Sequence, residues 1–183
     1  EIERSQITVN LIPKDVKSAL DAGCGSGIIT NKINAERVVG LDFSRTALKQ
    51  LVRPAVEGNL LSLPFSTQSF DIVVCSEILE HISHFDYSQV LGEISRVSRK
   101  YLLVSVPCRE NLKRSQVICP ACGCSFQPYY HMRSYQEKSV RDLFTGHGFA
   151  IKHLTTLGQK RDYIGLTFLI KLLGATTFPK TTV

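Results

Sequence analysis

Three stretches of this 183-residue chain carry residue types at spacings suited to chemistry. The first, Asp21-Ala22-Gly23-Cys24-Gly25-Ser26-Gly27, sets glycines on alternate positions. Glycine at a strand-to-helix turn lets the backbone approach a ligand where any Cβ would collide. Asp42 follows 21 residues after Asp21, at the end of Val38-Val39-Gly40-Leu41. A carboxylate placed there accepts hydrogen bonds from both hydroxyls of a ribose, and Phe43 beside it offers a cover for an adenine face. The second stretch, Cys75-Ser76-Glu77-Ile78-Leu79-Glu80-His81, closes an apolar run with carboxylates and an imidazole. The third is Cys119-Pro120-Ala121-Cys122-Gly123-Cys124, with His131 seven residues beyond.

The glycine spacing narrows the ligand. A nicotinamide dinucleotide site asks for G-x-G-x-x-G, but Ile28 stands where the third glycine belongs, and a count begun at Gly25 meets Thr30. A P-loop is excluded because no Gly-Lys-Ser/Thr follows.

The elements that must position these groups alternate along the chain. Short apolar runs at Ser18–Ala22, Arg37–Leu41, Ala55–Glu57, Phe70–Cys75 and Tyr101–Val106 predict strands covered on both faces. Helices are expected over Gly27–Ile33, Arg45–Leu51, Tyr87–Ser98 and Ser134–Thr145, the last ended by Gly146 and Gly148. Ala150–Thr155 and Ile164–Lys171, separated by Gly158 and a polar stretch, read as a closing antiparallel hairpin. This is an α/β chain: a mostly parallel, seven-stranded sheet of doubly wound type with helices on both faces. One domain over residues 1–183 is expected, with a Cys-rich insertion at 108–133 above the strand ends where an acceptor would bind.

Taken together, the Gly23–Gly27 loop, Asp42, Glu57-Gly58-Asn59-Leu60 and Glu77-x-Leu79-Glu80-His81 resemble the class I S-adenosylmethionine-dependent methyltransferases. The likeness is to small members of the type-11 kind, with a Rossmann-like sheet and E-x-L-E-H after the fourth strand. It covers residues 15–107, and more weakly 134–171. It implies that Gly23, Cys24, Gly25 and Gly27 cradle the methionine part of the cofactor, with Asp21 near its amino group. Asp42 would hold the ribose and Phe43 cover the adenine. Asn59 stands where aspartate is commoner, and an amide carbonyl still accepts from the adenine amine, without charge. Leu60 would present its N–H to the ring, and Ser76 and Glu77 would line the floor beneath the sulfonium. The implied reaction is methyl transfer to an oxygen or nitrogen of a small acceptor, such as a sugar, an anion or a carrier-linked intermediate.

Such a transfer is an in-line displacement at a carbon already activated by positive sulfur, so the protein mainly aligns groups and excludes water. A base is needed only for a nucleophile that carries a proton of high pKa. His81 is the first candidate and His131 the second, with helix capping or lid packing an equal reading for His81. An N/D-P-P-Y-like motif is absent after the fourth strand, where Cys75-Ser76-Glu77-Ile78 stands, which argues against N-methylation of nucleic-acid bases. Pro107-Cys108 alone is a weak sign of cytosine chemistry.

C-x-x-C followed by glycine lets two thiolates converge on one metal. Cys119, Cys122 and His131 are expected to bind structural zinc, with Cys124 or Cys108 as fourth ligand; a metal-free cap or a redox pair are the alternatives. Zinc there would brace a substrate cap. Tyr129, Tyr130, Arg109 and Arg133 surround it and suit a ring-bearing or anionic acceptor. Cys24 and Cys75 read as small core hydrophobes.

Size, hydrophobic content of 43% and charged content of 21% are those of an ordinary globular chain that needs no crosslinks. No apolar run reaches the ~18 residues of a membrane span; Tyr163 to Leu173 is too short and carries Lys171. With no cleavable leader in view, the expectation is a cytoplasmic protein with reduced thiols. The chain begins without methionine, which suggests a processed or partial sequence that lacks a helix over the cofactor. The net charge of +6 divides unevenly. Residues 1–90 hold eight basic and eleven acidic side chains, and residues 91–183 hold fourteen and five. The basic half leaves open an RNA-modifying enzyme that grips phosphates. A cofactor-binding regulatory or structural protein without turnover is the third reading.

Overall fold

Consecutive apolar residues become strands here because both faces of the sheet are covered. Along the strands, Leu20, Val73, Leu102 and Val104 pack into one core, and Ala19, Ile72, Val74 and Leu103 into a second. These neighbours in sequence point to opposite faces, as the two-residue period of a strand requires. The computed structural model describes residues 2–146, 149–157 and 164–172.

In chain order the elements are α1 (Ile2–Asn10), β1 (Ser18–Ala22), β2 (Arg37–Asp42), α2 (Arg45–Leu48), β3 (Ala55–Glu57), β4 (Phe70–Ser76), α3 (Tyr87–Val97) and β5 (Ser98–Cys108). A two-stranded hairpin, β6 (Val117–Ile118) and β7 (Ser125–Phe126), follows, and then α4 (Glu137–Gly146), β8 (Phe149–Leu157) and β9 (Ile164–Leu172). The main sheet has seven strands in the order β3-β2-β1-β4-β5-β9-β8. The first five are parallel, and β9 runs antiparallel to both β5 and β8. Strand order reverses between β1 and β4, which opens a crevice beyond their carboxyl ends.

One face is covered by α3, through Val90, Leu91, Ile94 and Val97, and by α4, through Val140 and Phe144. The other is covered by Leu11, Ile12 and Val16 after α1, and by Ile29 and Ile33. The sequence places no helix over residues 2–10; α1 fills that place. A helix expected over Gly27–Ile33 is reduced to a 3₁₀ turn at Thr30–Lys32. Ile28, Ile29, Thr30 and Asn31 are poor helix formers, so the segment turns once and moves on. Similarly, α2 stops at Leu48, short of Leu51. The apolar stretch near the carboxyl end is the strand β9, and among the described residues no helix is long and apolar enough to cross a membrane. Gly148, Gly158 and the connection at 158–163 lie outside the described residues.

Asp71 ties the amino end of β4 to its neighbours. It is 1% exposed, and it accepts hydrogen bonds from the Lys17 and Ser18 N–H groups and from the Arg99 guanidinium at 2.6 Å. Burial alone would raise its pKa, but these donors outweigh it and hold the carboxyl well below its ordinary value of 3.8. A depressed carboxylate stabilises the fold above the unfolded value and loses that contribution as acid protonates the folded form. Asp71→Ala is therefore expected to destabilise by about 3 kcal/mol at pH 7. In urea titrations the gap from the unaltered protein should narrow as the pH falls below 3.8.

Candidate active site

The carboxyl ends of β1 and β4 converge on a cavity of about 240 Å³. Its walls include Asp21, Gly23, Cys24, Gly25 and Ser26 from the loop after β1, and Ser76, Glu77 and Ile78 after β4. Two glycines shape the loop for different reasons. Gly27 has φ +86°, and a Cβ there would lie 2.2 Å from Leu51 Cδ1, so the chain can pass only without a side chain. Gly25 has φ +52°, and a Cβ there would meet nothing within 4 Å: its missing side chain leaves space for a ligand.

Asp42 locks that loop. Its Oδ2 accepts from Gly25 N–H at 2.8 Å and its Oδ1 from Ser44 N–H at 2.8 Å. A carboxylate has about four acceptor sites, so capacity remains for hydroxyl donors. Asp21 is buried, and Thr30 Oγ1 donates to its Oδ2 at 2.6 Å. Burial raises its pKa to about 6 despite that bond, so it is mostly ionised at pH 7 and suited to a cationic partner. Burial, with Asp21 and Asp42 adding to it, pushes the Cys24 thiol up to about 12, which removes it as a nucleophile.

Glu77 sits on the opposite wall in the left-handed region, φ 56°, a conformation that costs about 1 kcal/mol or more for a residue with a Cβ. Its N–H donates to Ser105 O, its Oε1 accepts from Ser105 Oγ at 3.0 Å, and Arg4 Nη1 pairs with its Oε2 at 3.0 Å. Since Ser105 gives its proton to Glu77, the 2.6 Å contact between Ser76 and Ser105 is donated by Ser76. Arg4 and Ser5 of α1 also line the cavity. The sequence points to neither, nor to Ser26, Ile28, Ile29 and Ile78; no spacing in residues 2–10 signals a place in the site.

Gly27, Asp42, Phe43, Asn59 and Leu60 are not cavity walls. Phe43 is 83% exposed. Asn59, also exposed, turns its Oδ1 to Leu61 N–H at 2.9 Å, closing a local turn.

Beyond Glu77 a 3₁₀ turn at Leu79–His81 carries His81 away from the cavity wall and against His131. The two rings meet edge to face, with centroids 4.8 Å apart. Burial and the neighbouring His131 lower the His81 pKa from 6.5, which keeps the ring neutral and able to accept a proton at pH 7. His131 Nδ1 lies 2.5 Å from Glu110 Oε2. Glu80 is fully buried, and burial, reinforced by Glu77, raises its pKa to about 8.

Among the remaining predicted residues, Tyr129 and Tyr130 are exposed, and Tyr130 has φ 58°. Arg109 is exposed at φ 56°, its N–H donating to Tyr135 O. Arg133 instead stacks on Tyr87 at 3.7 Å and donates to Ile82 O, bracing the 82–87 loop. Cys119, Cys122 and Cys124 lie in one tight turn closed by Gly123 N–H to Cys119 O and Cys119 N–H to Cys124 O. Hydrogen bonds from the Cys124 backbone and from the Cys124 and Cys119 side chains lower the Cys122 pKa. Cys108 is buried in the main core and its thiol is raised by burial. His131 assembles with Glu80 and His81, a group that includes none of the cysteines.

A model of the methyltransferase domain family matches residues 20–101. A probable S-adenosylmethionine-dependent methyltransferase of Mycobacterium tuberculosis is 34% identical over 142 residues, which cover 73% of this chain and 48% of that protein. A demethylmenaquinone methyltransferase of Lysinibacillus sphaericus is 29% identical over 163 residues, 76% of this chain and 69% of its own. The chain spans about half the length of the curated relatives it matches first. In fold it is similar to the magnesium protoporphyrin IX methyltransferase of Synechocystis, crystallised with SAH, with a TM-score of 0.72 at 17% identity over 94% of this chain and 83% of that one. The glycine loop, the strand order and the matched family model agree: residues 20–101 form a methyltransferase domain similar to those of the S-adenosylmethionine-dependent methyltransferases.

Proposed function

We propose that this protein transfers a methyl group from S-adenosylmethionine to an oxygen or nitrogen of a small-molecule acceptor. The observation that carries the reading is the Asp21–Gly25 cavity, walled by Glu77, at the carboxyl ends of β1 and β4 where the strand order reverses. The bound cofactor supplies a methyl group on positively charged sulfur. Asp42 holds the ribose hydroxyls, Asp21 faces the amino group, and Gly25 gives room for the methionine chain. Phe43, Asn59 and Leu60 form the adenine side. Ser76 and Glu77 floor the sulfonium, where the Glu77 carboxylate favours positive charge. His81, neutral at pH 7, takes the proton of a hydroxyl acceptor, with His131 beside it. Arg109, Tyr129 and Tyr130 rim the acceptor entrance. Relatives named for demethylmenaquinone and for magnesium protoporphyrin IX make a ring-bearing acceptor the favoured class.

Cys119, Cys122 and Cys124 share one turn, but three thiols fall short of the four ligands of a structural zinc site, and the metal-ligating group gathered among the described residues is Glu80, His81 and His131. His131, engaged elsewhere, does not complete the cysteine set.

Transfer of tritiated methyl groups from S-adenosylmethionine into cell extract tests the proposal. Label is expected in the small-molecule fraction; label confined to RNA or protein would overturn it. Gly25→Val is expected to fold and to bind S-adenosylhomocysteine at least about tenfold more weakly, a loss of some 1.4 kcal/mol, measured by calorimetry. Its side chain would enter space the structure keeps open, and a β-branched residue at φ +52° also strains the loop.

A further inference from the structure

Glu80 is a buried carboxyl with nothing to hold it. It is 0% exposed, and neither of its side-chain oxygens has a hydrogen-bond partner among the described residues. Buried polar groups are otherwise paired almost without exception, so an orphaned carboxyl calls for a missing partner. The nearest candidate is His81, whose Nε2 lies 3.9 Å from Glu80 Oε1. That is too long for a hydrogen bond. It is the separation of two atoms that share an ion, since ligands each ~2.1 Å from one metal stand about 3 to 4 Å apart.

A third ligand stands ready. One atom each of Glu80, His81 and His131 all lie within 4.8 Å of one another, a spread that must close by roughly half an ångström for all three to share an ion at ~2.1 Å. The His131 ring is held from behind, as metal-binding imidazoles are. Its Nδ1 meets Glu110 Oε2 at 2.5 Å, which leaves Nε2 with a free lone pair. The backbone closes the two segments on each other, with Met132 N–H donating to Glu80 O at 2.8 Å.

We propose that Glu80, His81 and His131 form a binding site for a divalent first-row cation, distinct from the cysteine turn. Two imidazoles and one carboxylate suit Mn²⁺, Fe²⁺ or Zn²⁺ and leave coordination positions open. The site follows Glu77, a wall of the cofactor cavity, by three residues. Resting on the methyltransferase reading, this deepens it: the acceptor carries an oxygen able to ligate the ion, such as a phenol or one of two neighbouring hydroxyls. An ion-bound hydroxyl gives up its proton more readily.

Mn²⁺ is the probe, because thiolates prefer softer ions and the cysteine turn competes little for it. After chelator treatment, the full chain is titrated with Mn²⁺ and followed by electron paramagnetic resonance. One Mn²⁺ per chain is expected. Binding should weaken at least about tenfold in Glu110→Gln, which touches only the outer support, and be lost in His131→Ala. Cys119→Ser with Cys122→Ser should leave it unchanged. Calorimetry with S-adenosylhomocysteine on each variant reports whether it is folded and whether the cofactor reading stands, independently of the ion. Absence of bound Mn²⁺ in the unaltered chain, or equal affinity in His131→Ala that still binds S-adenosylhomocysteine, would overturn the proposal.

Discussion

Asp42→Ala is expected to lower affinity for S-adenosylhomocysteine at least about 100-fold, from two lost charge-assisted hydrogen bonds of roughly 1.5 to 3 kcal/mol each. The ribose loses its acceptor directly. The loop also loses its lock, because Asp42 Oδ2 is what holds the Gly25 N–H in place. Asp42→Asn separates the two effects. The amide oxygen can still accept from one partner, but its NH₂ group cannot accept from the other, so an intermediate loss is expected. Calorimetry on both variants, with urea unfolding as a control, checks this. Binding unchanged in Asp42→Ala would refute the ribose assignment.

His81→Ala is expected to reduce turnover on a hydroxyl acceptor by about 10²-fold or more, with affinity for S-adenosylhomocysteine retained. Burial and His131 depress the ring's pKa below 6.5. The unaltered enzyme should therefore hold its rate at neutral pH and lose it as acid protonates His81 in the lower range. The variant should lack that acid limb, so the pH profile of kcat distinguishes a proton acceptor from a packing residue. His81 also belongs to the proposed cation group, and an ion on the ring would take the lone pair that accepts the proton, so this pH profile is the one expected of the ion-free protein.

The parts of the site that sequence made legible are those that depend on local spacing. The Gly23–Gly27 turn, Asp42 at the end of β2 and Glu77 after β4 follow from strand lengths and short loops, and the structure gathers them at the switch point. Long-range placement was not legible. Arg4 reaches Glu77 across 73 residues, and no period in residues 2–10 announces that contact. His131 was read with the nearby cysteines because spacing favoured them, yet tertiary packing seats it on Glu110 and His81. Glu80 stands inside the E-x-L-E-H motif, whose spacing alone assigns it no role. Its isolation is visible only when every neighbouring donor has been accounted for. Arg133 illustrates the same limit: a cation beside two tyrosines suggests a ligand, and the fold spends it on Tyr87 and Ile82.

The most direct measurement is a calorimetric titration of the unaltered chain with S-adenosylhomocysteine. One molecule per chain, bound with micromolar affinity, about −8 kcal/mol, is the predicted result. No saturable binding at millimolar ligand would contradict the assignment of the Asp21–Gly25 cavity as a cofactor site, and with it the proposed methyl transfer.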